Sequence, residues 1–331
     1  MDAKLTIDDI AKALGVSKTT VSRVISGKGR IGAETAKRVQ DYIAEHNFKP
    51  NAMAQGLASQ RTYNIGVVWP GDCELVDMPY FQRCLVGMND SASRMGYDIM
   101  VSLVTGKDFT NIKRLVSNHK VDGVILTRTM KEDVLANYLK TTGIPFVVIG
   151  KSLDESLVQI DNDNYTACKE MTNVMLSKGL KKLALIGGSK HHMITQVRYE
   201  GFQDAFKSNG LTAQEDLVYL DADDSNSINN AIEDCIRKQV DGIICMDDAI
   251  AGKTLERCRS EKIHIPDKVK LASFYNSSLL ENSNPSVTSL SFDDRKLGSV
   301  AAKTLIDMIE GKEGKSVTLK QYEVSLREST K

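Results

Sequence analysis

From Asn64 onward, short and nearly all-apolar runs alternate with longer amphipathic segments, and this alternation constrains the fold more than any other feature of the chain. The runs are NIGVVW (64–69), YDIMVSLV (97–104), DGVILT (122–127), PFVVIG (145–150), KLALIG (182–187), DGIICM (241–246) and KLASF (270–274). Between them the pattern predicts helices over 81–95, 166–178, 198–208 and 248–260. Strands that lack polar alternation are buried on both faces, so the expected architecture is parallel α/β sheet covered by helices on both sides. The break at VQIDNDNYTA (158–167) predicts two doubly wound lobes rather than one large sheet. Sheets of this kind bind ligands beyond the carboxyl ends of their strands. Those ends supply Trp69, Pro70, Thr127, Gly150, Lys151, Gly187, Asp247, Tyr275 and Asn276, which are expected to line a cleft for a small polar ligand.

The residues ahead of Asn64 follow another pattern. Thr6 and Asp9 have capping-box spacing, Ile7, Ile10, Ala11 and Leu14 repeat at helical period, and Gly15 ends the run, which predicts a first helix over 7–14. Ser17 caps a second helix that buries Val21, Val24 and Ile25, leaving Lys18, Thr19, Ser22 and Arg23 on a polar face. A third helix over 33–46 buries Ala36, Val39 and Ile43. Helix, glycine turn and helix, with a basic face on the second, is the arrangement that lays a recognition helix in the DNA major groove. Arg23 suits guanine edges or phosphate, Lys18 and Thr19 stand at the helix start where base edges are met, and Ser17 or Ser22 suits phosphate.

Charge agrees with a polyanion partner. The 331-residue chain is neutral overall, yet residues 1–62 hold ten Lys/Arg against six Asp/Glu, a net +4 that leaves −4 for the remainder. A dinucleotide reading of GKGRIG (27–32) competes, because it matches G-x-G-x-x-G after a β-branched run and before a helix. It fails downstream, where NFKPNAMAQGLASQRT stands in place of a second strand ending in an acidic residue.

Enzyme chemistry finds little footing. The chain lacks G-x-S-x-G, P-loop and H-E-x-x-H motifs, and His191 and His192 are adjacent and cannot share one helix face. DNDNYTACKE opens like a calcium loop but lacks the glycine at its sixth position and the glutamate at its twelfth, so a helix-capping turn is expected. The pairs Asp223/Asp224 and Asp293/Asp294 are read as loop and cap residues. Six scattered cysteines without a C-x-x-C pair, no leader-like start and no long apolar run predict a reduced, soluble, cytoplasmic protein.

The run TIDDIAKALGVSKTTVSRVISGKGRIGAETAKRVQDYI, followed by FKPNAMAQGLASQRTYNIGVV, resembles the head and hinge of the lactose-repressor (LacI/GalR) family of bacterial transcription regulators. VDGVIL, IPFVVIG, DNDN, RYEGFQDAF, DGIIC and SLSFDDRKLG extend the resemblance over essentially the whole chain. It implies a helix-turn-helix head over 1–47, a hinge over 48–61 and a periplasmic-binding-protein-like body over 62–331. The N-lobe of that body is placed at about 62–161 and 291–318, and the C-lobe at about 162–290 and 319–331. DNA contacts are implied for Thr6, Ser17, Lys18, Thr19, Thr20, Ser22 and Arg23 in the head, and for Asn51, Ala54 and Leu57 in the hinge. In the family the hinge becomes helical only when two copies pair on DNA and wedge a leucine, here Leu57, into the minor groove; Gly56 suits a segment whose folding is conditional.

For the body, the resemblance implies a sugar effector that grips Arg198, no cofactor, no metal, and a homodimer acting on a palindromic operator. Some relatives also work with a phosphocarrier protein, which the residues here leave open. SFYNS (273–277) departs from the family's G-F-D-D: Tyr275 and Asn276 replace the two aspartates, and Asp247 is expected to supply the missing carboxylate. Trp69 and Tyr275 are expected to offer aromatic faces to a sugar. VIGKSLDE, DNDN and SFYNS together resemble the maltose-type repressors, which motivates maltose or a related α-glucoside as effector. The alternatives are a corepressor-type regulator, in which ligand tightens DNA binding, and a sugar-binding receptor or enzyme built on the body alone.

Overall fold

The structure, a computed structural model, describes residues 5–26, 29–46, 48, 61–72, 79–222 and 224–331. The chain falls into two compact units, one ending at Tyr63 and the other starting at Asn64.

The first unit is helical. Helix α1 (Ile7–Leu14) starts from a reciprocal capping box between Thr6 and Asp9 and stops at Gly15, whose φ of 64° is open to glycine at no steric cost. Helix α2 (Lys18–Ser26) is capped by Ser17, whose hydroxyl oxygen accepts the Thr20 N–H at 3.0 Å. Helix α3 is Ala33–Glu45. Ile10, Val21 and Val39, one from each helix, are fully buried at the centre, and Arg38 donates to the Leu14 carbonyl at 3.0 Å. The segment before GKGRIG is therefore helix α2 rather than a strand, and the dinucleotide reading of that loop falls with it.

The second unit carries two six-stranded sheets, and the helices between strands cover them. In the first sheet are β1 (Asn64–Pro70), β2 (Asp98–Val104), β3 (Gly123–Leu126), β4 (Phe146–Ile149), β5 (Gln159–Asn162) and a late strand, Val317–Leu319, in the order late strand, β5, β4, β3, β1, β2, all parallel. The second holds β6 (Leu183–Ile186), β7 (Val218–Tyr219), β8 (Gly242–Cys245), β9 (Lys270–Ser273) and β10 (Thr288–Phe292), in the order β10, β9, β8, β6, β7. The C-terminal strand Tyr322–Ser325 pairs antiparallel beside β10, a departure from an all-parallel sheet. The chain thus passes from the first lobe to the second after β5, returns after β10, and crosses once more after Leu319.

In each sheet one strand is flanked by neighbours that wind in opposite senses, β1 in the first and β6 in the second. These reversals open a crevice at the strands' carboxyl ends, where an open α/β sheet accepts ligands. Two helices fix the first lobe against its sheet, α4 (Pro79–Arg94) and α12 (Asp294–Ile309). They approach backbone to backbone at a reciprocal glycine pair: a Cβ on Gly87 would lie 1.8 Å from the Arg295 carbonyl oxygen, and one on Gly298 would lie 2.0 Å from that of Cys84. In the second lobe, α7 (Asn164–Ser177) and α8 (Met193–Ser208) close in the same way at Gly201, whose Cβ would lie 2.6 Å from the Tyr165 carbonyl oxygen. This second contact brings Asn164 beside Arg198.

Candidate functional site

On the first unit, Ser17, Lys18, Thr19, Ser22 and Arg23 are exposed and Thr20 is half-buried, so the polar side of α2 is open to a partner. Several of these groups also serve the fold. Thr6 closes the α1 capping box, the Ser17 and Thr20 hydroxyls are 2.8 Å apart, and the Lys18 ammonium lies 3.0 Å from the Asp8 carboxylate. The hinge residues Asn51, Ala54 and Leu57 lie outside the described residues.

In the second unit a cavity of about 540 Å³ lies between the two sheets, inside the ~300–1,000 Å³ range usual for small-molecule sites. Loops from both topological reversals line it. From the first lobe come Tyr80 at the start of α4, Thr127 and Arg128 after β3, Asp161 on β5 and Asp294 at the start of α12; from the second come His192, Arg198, Asp247, Asp248 and Tyr275.

Each polar group is held by its element. Arg198, on α8, donates through Nη1 to the Met246 carbonyl and through Nη2 to Asn164 Oδ1 at 3.5 Å, while its buried Nε has no partner among the described residues. Asp247 caps helix α10 (Asp248–Ser260) by accepting the Ile250 N–H at 2.8 Å. Arg128 forks onto both oxygens of Asp72, at 3.0 and 2.8 Å, and lies 5.9 Å over the Phe81 ring. The Tyr275 hydroxyl donates to Asp294 Oδ2 at 2.6 Å.

Burial sets the electrostatics. It pushes the Asp161 carboxyl up to about 7, against the lowering pull of the Asn162 N–H and the Arg198 guanidinium. Burial also lifts Asp294 to about 6, opposed by the Tyr275 hydrogen bond and by Arg83, and raises Asp247 and Asp248. His192 is pushed down to about 4 by burial and by the Arg128 charge, so its ring is neutral at pH 7. The walls therefore offer carboxyl groups whose ionisation is opposed by burial, beside two anchored guanidinium groups, Arg198 and the Asp72-bound Arg128, a set suited to hydroxyl groups.

Of the cleft residues expected from sequence, Thr127, Gly150, Arg198, Asp247 and Tyr275 are brought together on these walls. The other five stand off the cavity lining, among them Gly187, which is buried just after β6. Trp69 is only 7% exposed, packed at the end of β1, and Pro70 after it is buried. Lys151 is exposed, although its neighbour Gly150 lines the cavity. Asn276 is turned into a buried network: its Nδ2 donates to Glu281 and Ser291 at 2.7 and 3.0 Å, and its Oδ1 accepts from Ser289 and Arg327 at 2.8 and 3.1 Å.

Sequence reasoning passed over Asp161, Asp294, Tyr80 and His192 as wall residues. DNDN carries the signal for Asp161, but its pattern is also that of a cap, a role that Asp163 fills by accepting the Thr166 N–H at 3.2 Å. Asp293/Asp294 divides likewise: Asp293 caps α12, and Asp294 turns into the cleft.

A small helical head with an open polar-basic second helix, and a two-sheet body with a ligand-sized cleft at its topological reversals, define a DNA-binding regulator with a small-molecule site. Residues 6–51 match the family model "Bacterial regulatory proteins, lacI family", and residues 172–330 match "Periplasmic binding protein-like domain". The chain is 32% identical over 329 residues to the HTH-type transcriptional regulator MalR of Streptococcus pneumoniae, covering 96% of this chain and 97% of that one. It is 28% identical to the catabolite control protein A of Staphylococcus aureus, with 91% of each covered. Among solved structures, a transcriptional regulator CelR–cellobiose complex superposes with a TM-score of 0.74 at 26% identity, over 98% of this chain and 99% of that one. The protein belongs to the LacI family of bacterial regulatory proteins, and it is a transcriptional regulator rather than an enzyme. Among the described residues no helix is long and apolar enough to cross a membrane, and no cluster of potential metal ligands occurs.

Proposed function

We propose that the protein is a cytoplasmic repressor of sugar-utilisation genes that a small neutral sugar releases from a pseudo-palindromic operator, with maltose or a related α-glucoside as the effector. The observation that carries the ligand class is the acidic wall of the cleft. Asp161, Asp247, Asp248 and Asp294 accept hydroxyl hydrogens and, in their ionised forms, disfavour a phosphorylated or carboxylated ligand, while Arg128 is already forked onto Asp72 and leaves Arg198 to orient the sugar. The likeness to a regulator solved with cellobiose supports a disaccharide, and the likeness to a regulator named MalR supports an α-glucoside.

On the DNA side, Lys18, Thr19, Thr20, Ser22 and Arg23 face the major groove, and Ser17 and Thr6 meet phosphate at helix starts. Asn51, Ala54 and Leu57 act in the minor groove, with Leu57 as the wedge. Two copies are needed to read a palindrome. Edge strand β2 supports that assembly, because it leaves Val101 44% and Leu103 51% exposed beside a strand edge that is unpaired among the described residues. Sugar in the cleft changes the angle between the lobes, and the shift reaches the heads as a population change set by the sugar's differential affinity.

Leu57→Ala tests the wedge. It is expected to weaken specific operator binding by tenfold or more while non-specific binding changes little, and equal losses on both sequences would exclude the wedge role.

A further inference from the structure

The Tyr275–Asp294 hydrogen bond spans the two lobes. Tyr275 follows β9 and packs in the second lobe's core, whereas Asp294 opens α12, which lies on α4 and the first sheet. Both side chains are buried, with Tyr275 4% and Asp294 1% exposed. Two residues of α4 complete a first-lobe socket around the phenol: the Tyr80 ring stands edge-on to Tyr275 with centroids 6.0 Å apart, and the Arg83 guanidinium lies 3.9 Å from Asp294 Oδ2. Asp294 Oδ1 is also buried and has no partner among the described residues, and among them the phenol supplies the one hydrogen bond that the carboxyl receives from the opposite lobe.

A sugar hydroxyl that donated to a carboxyl of the facing lobe would make the same kind of bridge. The geometry points to an internal latch: the Tyr275 phenol ties the second lobe to Asp294 of the first and holds the lobes together without a ligand. The latch does not depend on which ligand the cleft takes. It makes Tyr275 a positioning residue that sets how far the ligand-free body is already closed, and thereby how much of the switching free energy is left for the effector to supply.

The lobes carry their own reporter of opening. On the cleft rim the Lys131 N–H donates to the His191 carbonyl at 2.9 Å, and the Met193 N–H donates to the Thr129 carbonyl at 3.1 Å, both from one lobe to the other. These amides exchange with solvent when the lobes part, while those of Ile243 and Ile244 in the core of β8 exchange only on deeper unfolding.

The test is residue-resolved hydrogen exchange on the full-length, ligand-free and DNA-free protein, comparing wild type with Tyr275→Phe, Asp294→Ala and the double variant. Phenylalanine keeps the ring against Tyr80 and removes only the hydroxyl. The expected result is exchange about tenfold faster at Lys131 and Met193, the size set by loss of a hydrogen bond to a charged group, with Ile243 and Ile244 unchanged and the double variant no faster than the faster single one. Rates at Lys131 and Met193 that stay at wild-type values in Tyr275→Phe, or that rise only in step with the β8 amides, would overturn the latch. Since neither sugar nor operator is present, that failure is separate from a failure of the sugar-repressor reading.

Discussion

Gly298 faces the carbonyl oxygen of Cys84 so closely that a Cβ in its place would stand 2.0 Å from it. The contact is backbone on backbone, and no rotamer change can relieve it. It fixes the pitch of α12 against α4, and with it the distance between Asp294 and Arg83. Gly298→Ala is therefore expected to cost at least the ~1–3 kcal/mol typical of overpacking a core, read as a lower midpoint in urea unfolding. A variant within about 0.5 kcal/mol of wild type, the scatter of neutral surface changes, would show that the two helices separate freely.

Asp161 gives stability a pH dependence with a definite sign. Its folded value of about 7 lies above the ordinary 3.8, so between those limits the native state keeps a proton that the unfolded chain has released. The stabilisation is fully present below about pH 4 and is lost as pH rises through 7. Asp161→Asn has no proton to lose, and the drop in urea midpoint between pH 5 and pH 8 is expected to shrink in it. An identical drop in both proteins would remove Asp161 as the source.

The same carboxyl governs ligand affinity in the proposed reading. A sugar hydroxyl donates best to the ionised form, so effector affinity is expected to rise from pH 5.5 to pH 8 as Asp294, at about 6, and Asp161, at about 7, lose their protons. Calorimetric titration across that range measures it. Affinity that falls with rising pH would mean that the protonated carboxyls are the partners, acting as donors.

Arg198→Ala separates the two modules. It leaves the buried Met246 carbonyl without its donor, at a cost of about 1–3 kcal/mol, and it removes the cleft guanidinium that is not tied to a carboxylate. Operator affinity without sugar is expected to stay within about twofold while the sugar response disappears. A variant that still responds as wild type would take Arg198 out of the site.

The head offers an independent check. Arg23→Ala is expected to cost about 1–3 kcal/mol at one operator position if the side chain reads a base, or to lower the salt slope of binding evenly across sequences if it meets phosphate. No effect on any sequence would exclude α2 as the recognition element.

Much of this architecture was legible in the sequence because single residue types announce it. Thr6, Gly15 and Ser17 mark the ends of helices that the structure places at Ile7–Leu14 and Lys18–Ser26, and the apolar runs locate seven of the strands. The strands that escaped are β5, β7, β10 and the late Val317–Leu319, each of two to five residues. Strand β5 reads QIDN because its polar end faces the cleft, so the residues that serve the site are those that erase the strand pattern. Strand-end logic named Tyr275 and Asp247 but could not tell them from Asn276, since a wall residue and a residue locked in a buried network differ only by the direction of the side chain. Asp294 was hidden for a different reason: it directly follows a true helix cap, and a pair of aspartates at a helix start gives no sign that the second one turns inward.

Sugar in the body is expected to control DNA binding by the head, and fluorescence anisotropy of a labelled operator from the protein's own upstream region measures that control. The salt concentration must be fixed, because phosphate contacts dominate affinity and fall steeply with salt. Addition of maltose is expected to weaken operator binding by about 5- to 150-fold, the range of ordinary allosteric coupling. Operator binding left unchanged by maltose and every other disaccharide tried, or strengthened by them, would exclude a sugar-released repressor.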